Sequence, residues 1–130
     1  MVFSENMLEA QKALQQRGHT VYVSGPIAEY IGLTEEAKTT LTLHHKNTQD
    51  AMRHHCALIE KSDAIVVLNY DRKGIAGYIG GNTFLEIGYA HIFHKKIYLL
   101  NSIPEIKYYQ SEIEAMQPKI LHGDLMVISN

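Results

Sequence analysis

The sequence predicts an α/β domain with a parallel sheet of the flavodoxin-like or Rossmann-like kind, helices on both faces, and no usual N-terminal strand. Two observations predict the sheet. Segments of helical period alternate with short apolar runs such as AIVVL and IYLL, which read as strands covered on both sides. Parallel strands also need crossover connections, and those are right-handed helices. A third observation predicts the missing strand: a doubly wound domain normally begins with its central strand, whereas this chain opens on a helix.

In that opening helix Ser4 can cap, Met7, Leu8, Ala10 and Leu14 recur at helical spacing, and Gly18 stands where a helix stops. Thr20 to Val23, closed by Ser24-Gly25-Pro26, reads as a buried strand and turn. Residues 28 to 42 are ambiguous, because Thr39, Thr40 and Thr42 weaken a helix that Glu35, Glu36 and Ala37 favour. A helix from about Asn47 to Lys61 places Ala51, Met52, Leu58, Ile59 and His55 on one face. A strand over Ala64 to Tyr70 is followed by a loop, Asp71 to Asn82, containing Gly74, Gly77, Gly80 and Gly81. Then come a helix from Thr83 to about His94, a strand from Lys96 to Leu100, and a short helix from about Ser111 to Met116, stopped by Pro118. Leu125 to Ser129 reads as a last strand or a tail packed on the core.

The chain has 130 residues, 45% of them hydrophobic and 20% charged, which suits a single globular domain spanning 1–130. Lys and Arg number 12 against 14 Asp and Glu, so no basic footprint for a nucleic acid polymer or an anionic membrane is present. No apolar run approaches the ~20 residues that span a bilayer, and no leader pattern opens the chain. Cys56 is the only cysteine, which suits a reducing, cytoplasmic location. Eight histidines include the pairs His44-His45, His54-His55 and His91/His94. Adjacent histidines on a helix point apart and no Cys or carboxylate spacing completes a set, so no metal is expected. His91 and His94 suit a helix C-terminus.

Residues 68–90, LNYDRKGIAGYIGGNTFLEIGYA, carry the densest signal. Gly80 and Gly81 ahead of a helix let backbone approach a ligand, and the first-turn amides form an anion site. Glu86 has two readings. Thr83-Phe84-Leu85-Glu86 fits a capping box; alternatively, a carboxylate fixed in the first helical turn beside a ligand loop is what a nucleophile at a sugar carbon requires. Asn69 and Asp71, ending a strand on the ligand side, can hydrogen-bond a base or sugar, and Asp71 can protonate a leaving base; both residue types also favour plain turns. Tyr78 can stack on a base or be an exposed loop tyrosine.

The strings SDAIVVLNYD, GGNTFLEIGYA and KKIYLLN resemble the nucleoside 2-deoxyribosyltransferase-like superfamily, particularly an uncharacterised branch carrying YIGGNT. The resemblance runs from the opening helix and RGHTVYV to about Asp124. It implies that Glu86, in the family's ExGxA context, is the nucleophile that attacks the anomeric carbon of a 2-deoxyribose and displaces the base. Catalytic positions are then Glu86, Asp71 and His55, with Asn69, Tyr78, Gly80, Gly81 and Asn82 binding the ligand. Gly80 stands where family enzymes place a sugar-binding aspartate, and His55 stands in the place of another. VYV aligns as the family's second strand; the alternative takes VYVSGPI as its first strand and loop. The implied activity is cleavage or exchange of an N-glycosidic bond in a nucleoside or nucleotide, without a cofactor. The alternative is a non-catalytic nucleotide-binding or assembly module. Family members are commonly oligomeric, so a homo-oligomer is expected.

Overall fold

The computed structural model describes residues 3–23, 29–48 and 50–129, with the main chain alone over 45–48. Two compact units divide the chain, Met1–Ala57 and Leu58–Ser129.

The N-terminal unit is helical. Its first helix, α1 (Ser4–Gln16), buries Leu14 and ends in a Schellman turn: His19 N donates to Leu14 O at 3.2 Å, Gly18 N to Gln15 O at 3.0 Å, and Gly18 takes φ 92. Ser4 is not the cap. Phe3 occupies that place, while buried Ser4 is the first helical residue and its hydroxyl donates to Glu5 Oε2 at 3.3 Å. The strand expected at Thr20–Val23 is absent: these residues carry no strand pairing and Tyr22 is 51% exposed. Gln11 Nε2 instead donates to Val21 O at 3.2 Å, so a side chain takes up a carbonyl that a strand neighbour would bind. The expected turn at Ser24-Gly25-Pro26 lies outside the described residues.

The ambiguous region forms α2 (Glu35–Thr48). Thr34 accepts the Ala37 amide at 3.1 Å, and Glu35 and Glu36 favour the first turn. The threonines are accommodated because the hydroxyls of Thr39, Thr40 and Thr42 donate to the carbonyls of Glu35, Glu36 and Lys38, four residues back. The helix expected from Asn47 is two helices. Asp50 adopts φ 52, which breaks the run, and α3 is Ala51–Glu60. Lys38, only 4% exposed, pairs with Glu5, whose other oxygen accepts the Gly32 amide at 3.0 Å. The bond from Lys38, followed by that from Gly32, holds the Glu5 carboxyl down to about 2 from its ordinary 4.5.

The C-terminal unit holds a three-stranded parallel sheet in the order β1-β2-β3, with β1 Ala64–Val67, β2 Lys96–Leu99 and β3 Lys119–Ile120. Ala64 pairs with Lys96 and Val67 with Leu99, while Tyr98 pairs with Lys119. The crossover between β1 and β2 is α4 (Gly81–Ile92), and α5 (Gln110–Ala115) precedes β3. Ile87 and Ala90 of α4 and Ile113 of α5 meet Val67, Ile97 and Leu99 in one core, all nearly or fully removed from water. Tyr98, on the opposite face of β2, is 7% exposed. The central strand is thus the one buried on both faces. β1 is shorter than expected and only Val67 is buried, because it is an edge strand of this sheet. It stops where Tyr70 N turns back to Leu68 O at 3.1 Å. The run Leu125–Ser129 is no strand: Leu125–Val127 is one 3-10 turn capped by Asp124, and Ile128 behind it is buried. The third strand lies just after Pro118.

Among the described residues no helix is long and apolar enough to cross a membrane. The architecture is mixed α/β with a small parallel open sheet and five α-helices among the described residues.

Candidate functional site

The carboxyl ends of β1 and β2 are where ligands of parallel sheets bind, and there the loop 68–80 meets the segment after Leu100. Asn69 joins them. Buried at 1% exposure, its amide nitrogen lies 2.9 Å from Asn101 O, 3.1 Å from Ser102 O and 3.3 Å from Gly77 O. Its Oδ1 accepts the Asn101 amide at 2.9 Å, and Asn101 Nδ2 donates back to Asn69 O at 3.0 Å. The Asn69 side chain is therefore engaged by main chain of the two loops and fixes one against the other.

Asp71 closes the next part of the loop, its Oδ1 accepting the Gly77 amide at 2.9 Å. Gly77 has φ 65, and a Cβ there would lie 2.6 Å from Ser102 O and 3.3 Å from Asn69 Nδ2, so only glycine fits. Between them Arg72 and Ile75 form an isolated antiparallel bridge. After Gly77, Tyr78 is half-buried, and its ring lies 3.5 Å from where a Gly80 Cβ would stand. The Tyr109 hydroxyl donates to Ile79 O at 2.5 Å, and its ring stacks on Phe84 with centroids 4.6 Å apart. Burial, aided by the neighbouring Tyr78, raises the Tyr109 phenol, which keeps it a donor.

Gly80 is the N-cap of α4 and Gly81 its first residue, two positions earlier than expected. The capping box is thereby overturned. Thr83 stands inside the first turn, no side chain caps the helix, and Phe84 N bonds Gly80 O at 2.9 Å. Glu86 accordingly sits in the second turn and not the first, further from the dipole's positive end. It is half-buried, and Asn82 Nδ2, one turn before it, lies 3.4 Å from its Oε1. Two of the expected site residues are thus brought together on one face of α4, as their i, i+4 spacing requires.

The C-terminal unit collects Asn69, Asp71, Tyr78, Gly80, Gly81, Asn82 and Glu86 along one connection, from the end of β1 to the second turn of α4. His55 belongs to the N-terminal unit, half-buried on α3. Sequence reasoning missed Gly77 as a packing requirement, Asn101 as the partner of Asn69, and Tyr109 as the anchor of Ile79. The Asn that ends KIYLLN was the available signal for the second; nothing local announces Tyr109, about thirty positions from its acceptor. Among the described residues no group of three or more His, Cys, Asp or Glu could hold a metal ion.

No protein-family model, curated protein or solved structure matches this chain.

Proposed function

We propose that this protein cleaves or exchanges the N-glycosidic bond of a nucleoside or nucleotide on a flavodoxin-like scaffold. The observation that carries the reading is the pairing of Asn82 with Glu86 on α4, directly after a rigid glycine-bearing loop at the carboxyl end of β1. Glu86 attacks the anomeric carbon, the bond to the base breaks, and Asp71 supplies a proton to the departing base. Water, or a second base, then attacks the glycosyl ester, gives its proton to the Asp71 carboxylate and frees the Glu86 carboxylate. Asn82 orients the nucleophile, Tyr78 offers a stacking surface, and Gly80 and Gly81 leave room for the sugar. Asn69 serves by holding the loops. The small-molecule substrate, the cytoplasmic setting and a homo-oligomeric state belong to the same proposal.

A second reading, a non-catalytic nucleotide-binding or assembly module, draws on the engagement of Asn69 and Asp71 with main chain. Incubation with the common deoxynucleosides and their 5′-monophosphates, followed by chromatography for free base, separates the two. Base release is expected; binding without release from any of them favours the module.

A further inference from the structure

We infer that the outward face of α4 is a self-association surface, on which a second copy of this chain seats its own α4 antiparallel about a two-fold axis. The inference stands on α4 alone and not on the glycosidic reading, and it gives the expected homo-oligomer its interface.

Leu85 is 43% and Ile92 70% exposed, although both belong to a helix that carries one wall of the core. With Gly81 and Gly88 they form one stripe. At about 3.6 residues per turn the four fall within an arc of about 60°, opposite the buried Ile87 and Ala90. No polar side chain interrupts the stripe, and Glu86 is the only formally charged residue of the whole helix. α1 shows what a face turned to water carries in this chain, for it exposes Glu9, Lys12, Gln15 and Gln16. A helix that is apolar on both sides is one that is covered on both sides.

The two glycines show how close the cover comes. A Cβ on Gly81 or Gly88 would meet nothing within 4 Å, and neither residue has a positive φ, so among the described residues no packing or backbone demand calls for glycine at either place. Gly88 also stands in the helix interior, where glycine is disfavoured against alanine. A bare backbone at that position admits close approach from outside.

The spacing selects the occupant. From its amino end the stripe reads Gly81, Leu85, Gly88, Ile92, at intervals of four, three and four residues; from its carboxyl end the intervals are the same with glycine and aliphatic residue exchanged. An antiparallel copy therefore sets Leu85 over the partner's Gly88 and Ile92 over the partner's Gly81, and the reverse, which is the self-complementarity that an isologous contact needs. A parallel copy would set glycine on glycine and leave a gap. The charges agree. α4 has no side-chain cap and no acid in its first turn, and the antiparallel copy brings the negative carboxyl end of its own helix dipole beside those amides. Asn82 and Glu86 lie about a quarter turn or more from the centre of the stripe, outside the contact.

One helix face about 18 Å long is a small interface, so the dimer is expected to be a weak one in the micromolar range. Sedimentation of the whole chain over a concentration series tests it. Ile92→Glu and Gly88→Leu should each weaken the dimer at least about tenfold, the first by placing a charge in the contact and the second by filling the hole. Melting temperatures at dilution should hold, because both positions are open in the single chain. Register is read by disulfide trapping with Leu85→Cys and Gly88→Cys, each made in a Cys56→Ser background. The mixture should cross-link faster than either protein alone. A wild type that stays monomeric at about 100 µM, an assembly that survives both substitutions, or Leu85→Cys that cross-links to itself in preference to Gly88→Cys overturns the inference. Base release by a monomer defeats it and leaves the glycosidic reading standing; an α4 dimer that releases no base does the reverse.

Discussion

Gly77 and Glu86 represent opposite kinds of residue in this loop and helix. Gly77 is fixed by space and by backbone, since its φ of 65 and the 2.6 Å approach of Ser102 O to a Cβ both exclude a side chain. Gly74 shares the positive φ, at 72, but faces open space. Gly77→Ala is therefore expected to destabilise the fold by about 2–3 kcal/mol and Gly74→Ala by only about 1 kcal/mol. Denaturant unfolding of the two variants checks the difference; equal losses would mean that Ser102 moves aside freely. Glu86 is fixed by chemistry. With the capping box removed, its contact with Asn82 is one that a glutamine can still make and that is worth at most about 0.5 kcal/mol. Glu86→Gln should lower base release by orders of magnitude at a constant melting temperature, because an amide forms no glycosyl ester. Base release at the wild-type rate in that variant rules out the nucleophile.

Helices α1 and α2 are joined by a charge pair whose consequences depend on pH. Glu5 is held at about 2 in the fold against an ordinary 4.5, so the folded state favours its ionised form. The stabilisation is complete above about pH 4.5 and disappears as the pH falls toward 2. Lys38 is buried at the other end of the pair, so loss of the Glu5 charge removes compensation from a poorly solvated ammonium. Wild type should exceed Glu5→Gln in stability near neutrality, and the gap should close between pH 4.5 and 2. A gap independent of pH over that interval counts against the pair. At this scale the sequence was legible where one periodicity dominated. The opening helix was readable because Met7, Leu8, Ala10 and Leu14 recur at helical spacing, β2 because it lies in the apolar run IYLL, and α5 because Pro118 stops it. Where two local tendencies competed, the pattern misled. Thr39, Thr40 and Thr42 argue against a helix until their hydroxyls find carbonyls four residues back. Asp50 at φ 52 splits a run that reads as continuous.

At the scale of the molecule the sheet has two edges among the described strands, β1 and β3, and an edge presents unpaired backbone donors and acceptors. The expected homo-oligomer should appear in sedimentation at micromolar concentration as a species heavier than the 14.7 kDa chain; a monomer under those conditions counts against that expectation. Local pattern in the chain was enough to give the alternation of helix and apolar strand in 58–116, the parallel pairing that follows from a helical crossover, and the concentration of polar and glycine residues after β1. These are consequences of local period and chain connectivity. The contacts between segments distant in sequence emerged only on folding: Asn69 on Asn101 and Ser102, Tyr109 on Ile79, and the pairing that makes Lys119–Ile120 β3. A two-residue strand has no periodicity to read, and a buried amide or phenol becomes a clamp only when the fold brings a main-chain acceptor to it. The start of α4 at Gly81 was decided in the same way. Glycine has no helical preference of its own, and its place in the first turn follows from the tight loop that Gly77, Asp71 and Asn69 hold in front of it.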